Sequence, residues 1–435
     1  MPGGFSAIGR IPELKRRIGL SLLLLSVYRL GCYIPTPYIN AVALQAYFNA
    51  AKGTLLGLFD MFSGGALSQF SVFALGIMPY ISASIILELL TVVVPALEKM
   101  KKEGEAGRKK ITQYTRYGTV VLSAVQGLGI AVGLGAQHAP NGAPLVMLTG
   151  WGFRVMTVLT LTAGTAFLMW LGEQITERGI GNGISLIIYA GIVSRMPSAI
   201  FNTVRLVRAG GMSIFVLCAI AVLMFAVCGF IIFMERGERR VPVQYAKRVV
   251  GRRVYGGQNT HIPLKINTSG VIPPIFASSI IMFPATVANF IKVPWVQSVA
   301  HAISPGHWLY ILLYIGFIIF FAFFYTAIVF NPADVAENMK KYGGFIPGIR
   351  PGKPTADYLD KVLSRITLGG AIYISAVCVL PTVLIERFGV PFYFGGTALL
   401  IVIGVAMDTL SQIEAHMLSR HYEGFLKSGR AKSRR

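Results

Sequence analysis

Residues able to carry out catalysis are few in this sequence, and their spacing fits no known catalytic or metal-binding pattern. Gly352-Lys353 is followed by Pro354 and lacks the preceding glycines of a phosphate-binding loop. The six histidines are scattered. The sequence therefore predicts no enzyme, no metal and no cofactor, and energy for any work must come from a partner or from the membrane. Four cysteines lie within apolar runs, without metal or disulfide spacing: Cys32, Cys218, Cys228 and Cys378.

Ionisable residues within the apolar runs would indicate a second kind of chemistry, the coupling of transport to ions or protons. A coupled transporter usually places such groups near the middle of the membrane. Arg29, Glu386 and Asp408 lie toward the ends of apolar runs, where long side chains reach the interface. Glu88, within Ile85-Ile-Leu-Glu-Leu-Leu90, is the exception. Its pattern fits a role in a gate and a hydrogen bond to a neighbouring helix equally well.

Composition places the chain in a membrane. Of its 435 residues 54% are hydrophobic and only 13% are charged, which is typical of a protein that crosses a bilayer several times. The first apolar run, Ile18 to Ile34, has no small-residue cleavage site after it, so we interpret it as a retained helix.

The positive charges are strongly segregated along the chain. The net charge is +22, and 32 of the 40 Lys and Arg residues fall in six segments that alternate with nearly neutral connections. Cytoplasmic loops carry the excess of Lys and Arg, so this asymmetry places both termini and the long loops in the cytoplasm. The six segments are 1–17, 99–116, 178, 236–265, 340–365 and 420–435.

Apolar runs long enough to span a membrane predict the architecture. We expect an all-α membrane protein with ten transmembrane helices. Five precede the connection Arg205 to Met212 and five follow it. Halves with an odd number of spans enter the membrane from opposite sides, so any repeat relating them is inverted. The predicted spans are Ile18–Ile34, Val72–Val94, Thr115–Ala136, Phe153–Leu171, Ile184–Val204, Ser213–Phe233, Val271–Ile291, Leu309–Phe330, Ile366–Ile385 and Phe392–Leu410.

A shorter apolar segment precedes the second span. Leu55 to Phe62 carries an acid and ends in Ser63-Gly64-Gly65. A run of this length is too short to cross a bilayer, and non-helical backbone at membrane depth survives only inside protein or beside a water-filled cavity. The segment therefore predicts a re-entrant piece and an internal lumen, as in a channel or transporter.

Two sequence motifs around the second predicted span resemble those of one family. Phe73-Ala-Leu-Gly-Ile77-Met-Pro-Tyr-Ile81-Ser-Ala-Ser and Thr91-Val-Val-Val-Pro95 resemble the second transmembrane region of the SecY family of bacterial protein-translocation channels, and the likeness extends over nearly the whole chain. It implies a central pore between two inverted five-helix halves, a short re-entrant plug helix within Leu55 to Phe70, and a lateral gate between the second and seventh spans.

The resemblance also assigns residues to these parts. A narrow aliphatic waist can hold back ions because it sheds water when empty. The implied pore ring is Ile77, Ile81, Ile184, Ile188, Ile275 and Ile401. The implied plug residues are Leu55, Leu58, Phe59, Met61, Phe62, Ser63, Gly64 and Gly65. The implied gate residues are Glu88, Thr91, Pro273, Ser278, Ser279 and Phe283, and Pro273-Pro274 predicts a loosened or kinked helix.

Two long cytoplasmic loops predict folded arms. In residues 235–269, Val241, Val243 and Tyr245 alternate with other residues, which predicts a basic hairpin. Residues 331–365 contain the Pro- and Gly-rich motif Gly343 to Pro354, which predicts a stiff turn that holds Arg350 outward. Attraction to anionic lipid explains part of the charge, and both loops resemble SecY arms that dock a ribosome or the SecA motor. The expected docking residues are Lys247, Arg248, Arg252, Arg253, Arg350 and Lys353.

The expected function is a passive channel for unfolded secretory chains in the bacterial plasma membrane, which also releases apolar segments into lipid. The resemblance implies SecE, SecG, SecA, ribosomal RNA within a ribosome, signal peptides and membrane lipids as partners. A secondary transporter and a membrane enzyme are the alternatives. The expected divisions are 1–17, a first half 18–205 with plug 55–70, a second half 213–410 with arms 235–269 and 331–365, and a basic tail 411–435.

Overall fold

The structure of the chain is a computed structural model. It describes residues 11–50, 60, 63–135, 137, 142–147, 150–210, 213–245, 248–250, 253–255, 259–290, 302, 307–388 and 396–432, and within these ranges it leaves out the side chains of 49–50, 206, 248–250, 253–255, 259, 282–290, 382–388 and 418–432.

Helices make up most of the described chain. In order they are α1 (Pro12–Gly31), α2 (Ala41–Ala50), α3 (Met78–Val93), α4 (Pro95–Lys102), α5 (Glu105–Gly135), α6 (Trp151–Arg178), α7 (Gly183–Val193), α8 (Met196–Arg208), α9 (Ile214–Arg236), α10 (Ile272–Phe290), α11 (Trp308–Val329), α12 (Pro332–Lys341), α13 (Lys353–Phe388) and α14 (Gly396–Lys432). The strands are β1 (Glu238–Tyr245), β2 (Arg248–Val250), β3 (Arg253–Tyr255), β4 (Asn259–Lys265) and β5 (Gly344–Phe345).

A helix lies at each of the ten predicted spans. Seven helical segments of the described chain are long and apolar enough to cross a membrane, and an eighth qualifies if the bent pair α3 and α4 counts as one span. The mostly helical membrane fold is therefore confirmed. The helices at the two remaining predicted spans are α1 and α10; the part of α10 whose side chains are described, Ile272–Ile281, is a shorter apolar helix.

The second predicted span starts later than expected. Residues 71–77 form a bridge and turns, and helix α3 begins only at Met78, with Pro79 in its first turn. Val94 is extended because it precedes Pro95, and a residue before proline is pushed out of the helical region. Helix α4 consequently leaves α3 at 99°. The prediction of continuous helix from Val72 was wrong, because the residues of these turns are mostly apolar and cannot be told from the start of a span by hydrophobicity.

The first predicted arm is a small antiparallel sheet. Strand β1 pairs with β4 along its length and with β5 of the second arm at Gln244 and Tyr245. Val241 and Val243 are each 1% exposed, as the predicted alternation requires, whereas Tyr245 is 37% exposed. The buried valines pack with Leu264, Met339 and Leu359, so the two arms share one apolar core. The predicted hairpin is confirmed, and both arms belong to the same folded body.

The chain divides into two compact units. The first comprises Met1–Asn202, Met282–Pro305 and Gly404–Arg435, and the second comprises Thr203–Ile281 and Gly306–Ile403. Helix α8 therefore contains a unit boundary.

Close helix packing in the first unit depends on small residues. Gly164 lies in the middle of α6, where an added Cβ would come within 2.0 Å of the Val72 carbonyl oxygen. The turn segment before α3 therefore rests directly on the backbone of α6. Glycine is the residue type that permits this approach.

We expect Gly164→Ala to lower the free energy of unfolding of the first unit by about 1–3 kcal/mol, since overpacking forces backbone shifts. Thermal unfolding of the purified protein in detergent measures this effect. The matched control is Gly152→Ala in the first turn of α6, where no heavy atom lies within 4 Å of the new Cβ. Equal melting temperatures for the two variants would contradict the close approach.

Candidate functional site

The base of the predicted plug is the part of it that the structure describes. Leu55, Leu58, Phe59, Met61 and Phe62 lie outside the described residues. Ser63 and Gly64 are buried, and Gly64 and Gly65 have positive φ angles of 67° and 92°. L-residues with a Cβ rarely adopt this backbone, so the glycines allow the chain to turn here.

Helix α1 holds this turn through two side chains. The Tyr28 hydroxyl donates a hydrogen bond to the carbonyl oxygen of Ser63 at 3.2 Å, and the Arg29 guanidinium donates to that of Gly64 at 3.0 Å. Tyr28 is 1% exposed. Arg29 therefore binds the base of the predicted plug. This corrects our interpretation of Arg29 as an ordinary residue at a helix end.

An ion pair joins the plug base to the end of helix α7. The Asp60 carboxylate accepts a short hydrogen bond from the guanidinium of Arg195, which lies between α7 and α8. The Asp60 side chain is 8% exposed and that of Arg195 is 30% exposed. The other Asp60 carboxylate oxygen accepts the Ser68 N–H at 2.7 Å. Asp60 therefore organises the turn and attaches it to a neighbouring helix at once.

Backbone contact reinforces this attachment. A Cβ on Gly64 would lie 2.7 Å from the Gly191 Cα in α7, so the two chains touch through their glycines. Farther along, Thr36 donates its N–H and its hydroxyl to the Phe70 carbonyl, each at 2.9 Å, and the Val72 N–H donates to the Ile34 carbonyl at 3.0 Å. Protein groups thus satisfy much of the non-helical backbone of 63–77.

The first two isoleucines of the predicted pore ring lie where this segment becomes α3. Ile77 is the residue that precedes the helix, and its carbonyl accepts the Ile81 N–H at 3.1 Å. Ile77 is 3% exposed and Ile81 is 9% exposed. They are one helical turn apart, as the spacing predicts.

Ile184 and Ile188 share a face of α7, and a glycine-rich loop sets the position of that helix. The Asn182 side chain caps α7 by accepting the N–H groups of Ile184 and Ser185. The Ser21, Gln412 and Thr176 side chains accept the loop N–H groups of Ile180, Gly181 and Gly183. Ile188 is 4% exposed, and Ile184 is partly buried.

The other two isoleucines belong to the second unit. Ile275 is partly buried in the first turn of α10, and Ile401, 1% exposed, lies in α14. Helix α14 begins tightly against α13, since a Cβ on Gly396 would lie 1.9 Å from the Val377 carbonyl oxygen. A hydrogen bond of 2.6 Å between Tyr314 and Thr397 fixes the same end.

The predicted gate residues are described within their own helices. The Thr91 hydroxyl donates to the Glu88 carbonyl, and the Ser278 and Ser279 hydroxyls both donate to the Ile275 carbonyl. Such bonds within one helix satisfy buried hydroxyls. Glu88 is half-buried in α3. The backbone of Phe283 lies in α10, and its side chain lies outside the described residues.

The two prolines of α10 do not interrupt it. The helix begins at Ile272, so Pro273 and Pro274 occupy its first turn. Backbone N–H groups in a first turn have no partner within the helix, and a proline costs little there. The prolines therefore start the helix, which differs from the kink expected from the sequence.

The predicted docking residues lie on the two arms. Arg350 and Lys353 are exposed at the turn between β5 and α13, where Gly348 and Gly352 have positive φ. In the β2–β3 hairpin Arg248 pairs with Tyr255 and Arg253 pairs with Val250, and the side chains of both arginines are outside the described set. Lys247 and Arg252 lie outside the described residues altogether.

Sequence reasoning missed the side chains that hold the plug base. Tyr28, Arg29 and Arg195 were not predicted as site residues. A signal existed for Arg29 and Arg195, because both lie near connections that were expected to be poor in positive charge. Within the described part of the chain, no three His, Cys, Asp or Glu side chains come together as metal ligands would. The chemistry of this site is therefore packing, hydrogen bonding and one ion pair.

Several solved structures share the fold of this chain. One is described as a protein conducting channel, and it matches with a TM-score of 0.66 and 17% identity over 93% of each chain. A second, described as showing that the plug domain of SecY stabilises the closed state, gives 0.60 and 16% over the same shares. Sec61 in the canine ribosome–channel complex gives 0.63 and 15%, again over 93% of each chain. The fold is that of a protein-conducting membrane channel.

Sequence comparison gives the family. The model of the SecY family matches residues 71–410. The protein translocase subunit SecY of Escherichia coli K12 is 54% identical over 431 residues, which cover 98% of this chain and 97% of that protein. This chain belongs to the SecY family.

Proposed function

We propose that this chain is the passive pore through which unfolded polypeptides cross the bacterial plasma membrane, with both termini in the cytoplasm. The observation that carries the proposal is the non-helical segment 63–77, enclosed by helices of the first unit in an otherwise helical membrane protein. Backbone of this kind is tolerated at membrane depth only where protein or a water-filled cavity surrounds it. A plug that withdraws from such a cavity accounts for it.

The waist of this pore would be the aliphatic ring of Ile77, Ile81, Ile184, Ile188, Ile275 and Ile401. An aliphatic constriction closes to ions by shedding water, and it admits side chains of every kind because it makes no specific bonds. The Ile77–Ile81 and Ile184–Ile188 pairs, each at one-turn spacing, can each present two side chains on one face to the pore.

Sideways release would occur between α3 and α10, the second and seventh predicted spans. An apolar segment of cargo favours lipid by about 0.3 to 0.6 kcal/mol for each central Leu, Ile, Phe or Val, whereas a central charge costs about 2.5 to 3.5 kcal/mol. A gate that only exposes cargo to lipid can therefore sort it without fuel. This agrees with a channel subunit that has no catalytic role.

The test of the ring is crosslinking of a stalled secretory chain to photoreactive probes at Ile81, Ile188 and Ile401. We expect crosslinks at all three, because each would line the path of the cargo. A probe at Leu23, 59% exposed on α1, is the control and should not react with the chain. Crosslinking at Leu23 but not at the isoleucines would reject the pore assignment.

The plug assignment is tested by deleting Leu55 to Phe70. We expect the resting ion leak of vesicles containing the purified channel to rise, because nothing then fills the waist from the outer side. Ion flux across the vesicle membrane without SecA or cargo measures the effect. An unchanged leak would remove the plug assignment while leaving the fold as described.

SecE, SecG and a driving partner, either SecA or a ribosome, would complete the machine, and the exposed arms would dock the driver. We expect Arg350→Glu to slow SecA-driven export several-fold, since it places a negative charge on the exposed turn between β5 and α13. Export by membrane vesicles measures it. Lys361→Glu, the same change at an exposed site within α13, is the control; equal export by the two variants would show that the turn is not a docking point.

A further inference from the structure

We propose that Asp60 and Arg195 form an ionic latch that fixes the base of the plug and so holds the channel closed at rest. The inference rests on the proposed function of the plug and names the residues that set its resting position. Nothing in the family resemblance assigns a role to either residue.

The geometry of Asp60 is that of a residue with two attachments. One carboxylate oxygen accepts the Ser68 N–H, and the Asp60 carbonyl oxygen accepts the Gly65 N–H at 2.9 Å and the Ser63 hydroxyl at 3.1 Å. These bonds fold the plug base on itself. The other carboxylate oxygen is left for Arg195, which is not part of the turn.

Arg195 supplies a fixed anchor on the far side of this contact. Its backbone N–H bonds the Ile192 carbonyl at the end of α7, and its guanidinium would lie 3.1 Å from a Cβ on Gly65. The guanidinium thus covers the glycine turn while it pairs with Asp60. Helix α7 also carries Ile184 and Ile188, so the latch attaches the plug to a wall of the proposed waist.

Burial makes the ion pair effective as a latch. The carboxylate is 8% exposed, and a buried charge that loses its partner pays a desolvation cost that an exposed pair does not pay. Moving the plug base away from α7 separates the two charges. Closure is therefore favoured at rest, and opening requires a competing interaction or hydration of both groups.

The Arg29 and Tyr28 contacts differ from the latch in kind. Each donates to a backbone carbonyl oxygen, which is present whatever the side chain at that position. Only the Asp60–Arg195 contact depends on two side chains. It can therefore be removed from either end without altering the backbone.

The experiment uses Asp60→Asn, Arg195→Gln and the double variant in planar bilayers. Asparagine keeps an oxygen for Ser68 N–H and loses the charge. A hydrogen bond to a charged group changes an equilibrium constant by about ten-fold or more. We therefore expect each single variant to raise the resting open probability by roughly tenfold. The double variant should show the same rise rather than the product of the two, because one interaction is lost in all three.

Single-channel recording separates a latch from general damage. We expect the unitary conductance of the open state to stay at the wild-type value, since the open pore no longer uses the pair. Arg116→Gln is the matched control: it breaks the two 2.8 Å bonds from Arg116 to Glu173 in the same unit, far in sequence from the plug, and should leave the open probability unchanged. An equal rise in Arg116→Gln would reject the latch.

The outcomes distinguish this inference from the plug assignment. If deletion of Leu55 to Phe70 raises the leak and Asp60→Asn does not, the plug stands and the latch is wrong. Multiplicative effects in the double variant would also overturn the latch, because the two residues would then act separately. Melting temperatures of the purified variants identify any variant that fails to fold. Hydrogen exchange at the Ser68 amide of the wild-type protein reports whether this turn opens together with the channel.

Discussion

Backbone N–H and C=O groups at membrane depth need partners in protein or in a water-filled cavity, and much of the segment 63–77 finds them in the protein without a helix. Its partners are the Tyr28 and Arg29 side chains of α1, the Thr36 and Ile34 groups that follow that helix, and Asp60. An unsatisfied group in hydrocarbon costs several kcal/mol. The arrangement of the first unit around this segment therefore follows from the need to solvate it with protein.

The distribution of charge reflects the same requirement. Most Lys and Arg residues lie in the predicted cytoplasmic segments, and the residues that break this bias include Arg29 and Arg195. Both are bound to the plug base. The Arg29 guanidinium donates to a carbonyl oxygen and that of Arg195 pairs with a carboxylate, both inside the protein. Two of the exceptions to the predicted charge bias therefore lie at this site.

The spans could be predicted from the sequence because hydrophobicity over some twenty residues is a local property. The β1–β4 pairing was also accessible, since Val241 and Val243 alternate with polar residues. The late start of α3 was not, because the turns at 72–77 are apolar and the segment depends on distant partners: the Ile34 carbonyl accepts the Val72 N–H, and Thr36 donates to the Phe70 carbonyl. Asp60 and Arg195 are 135 residues apart, and no local pattern joins them. The isoleucines were chosen by family likeness, since their periodicity equals that of packing residues.

Helix α13 connects the exposed turn at Arg350 with the interior of the second unit. From Lys353 to Pro381 it is 29 residues of continuous helix, about 44 Å, whereas the hydrocarbon core of a bilayer is about 30 Å thick. The helix is therefore longer than the hydrocarbon core is thick. Up to Pro381 it has no flexible joint, so a load applied at its Lys353 end would be carried along its whole length, as along a lever.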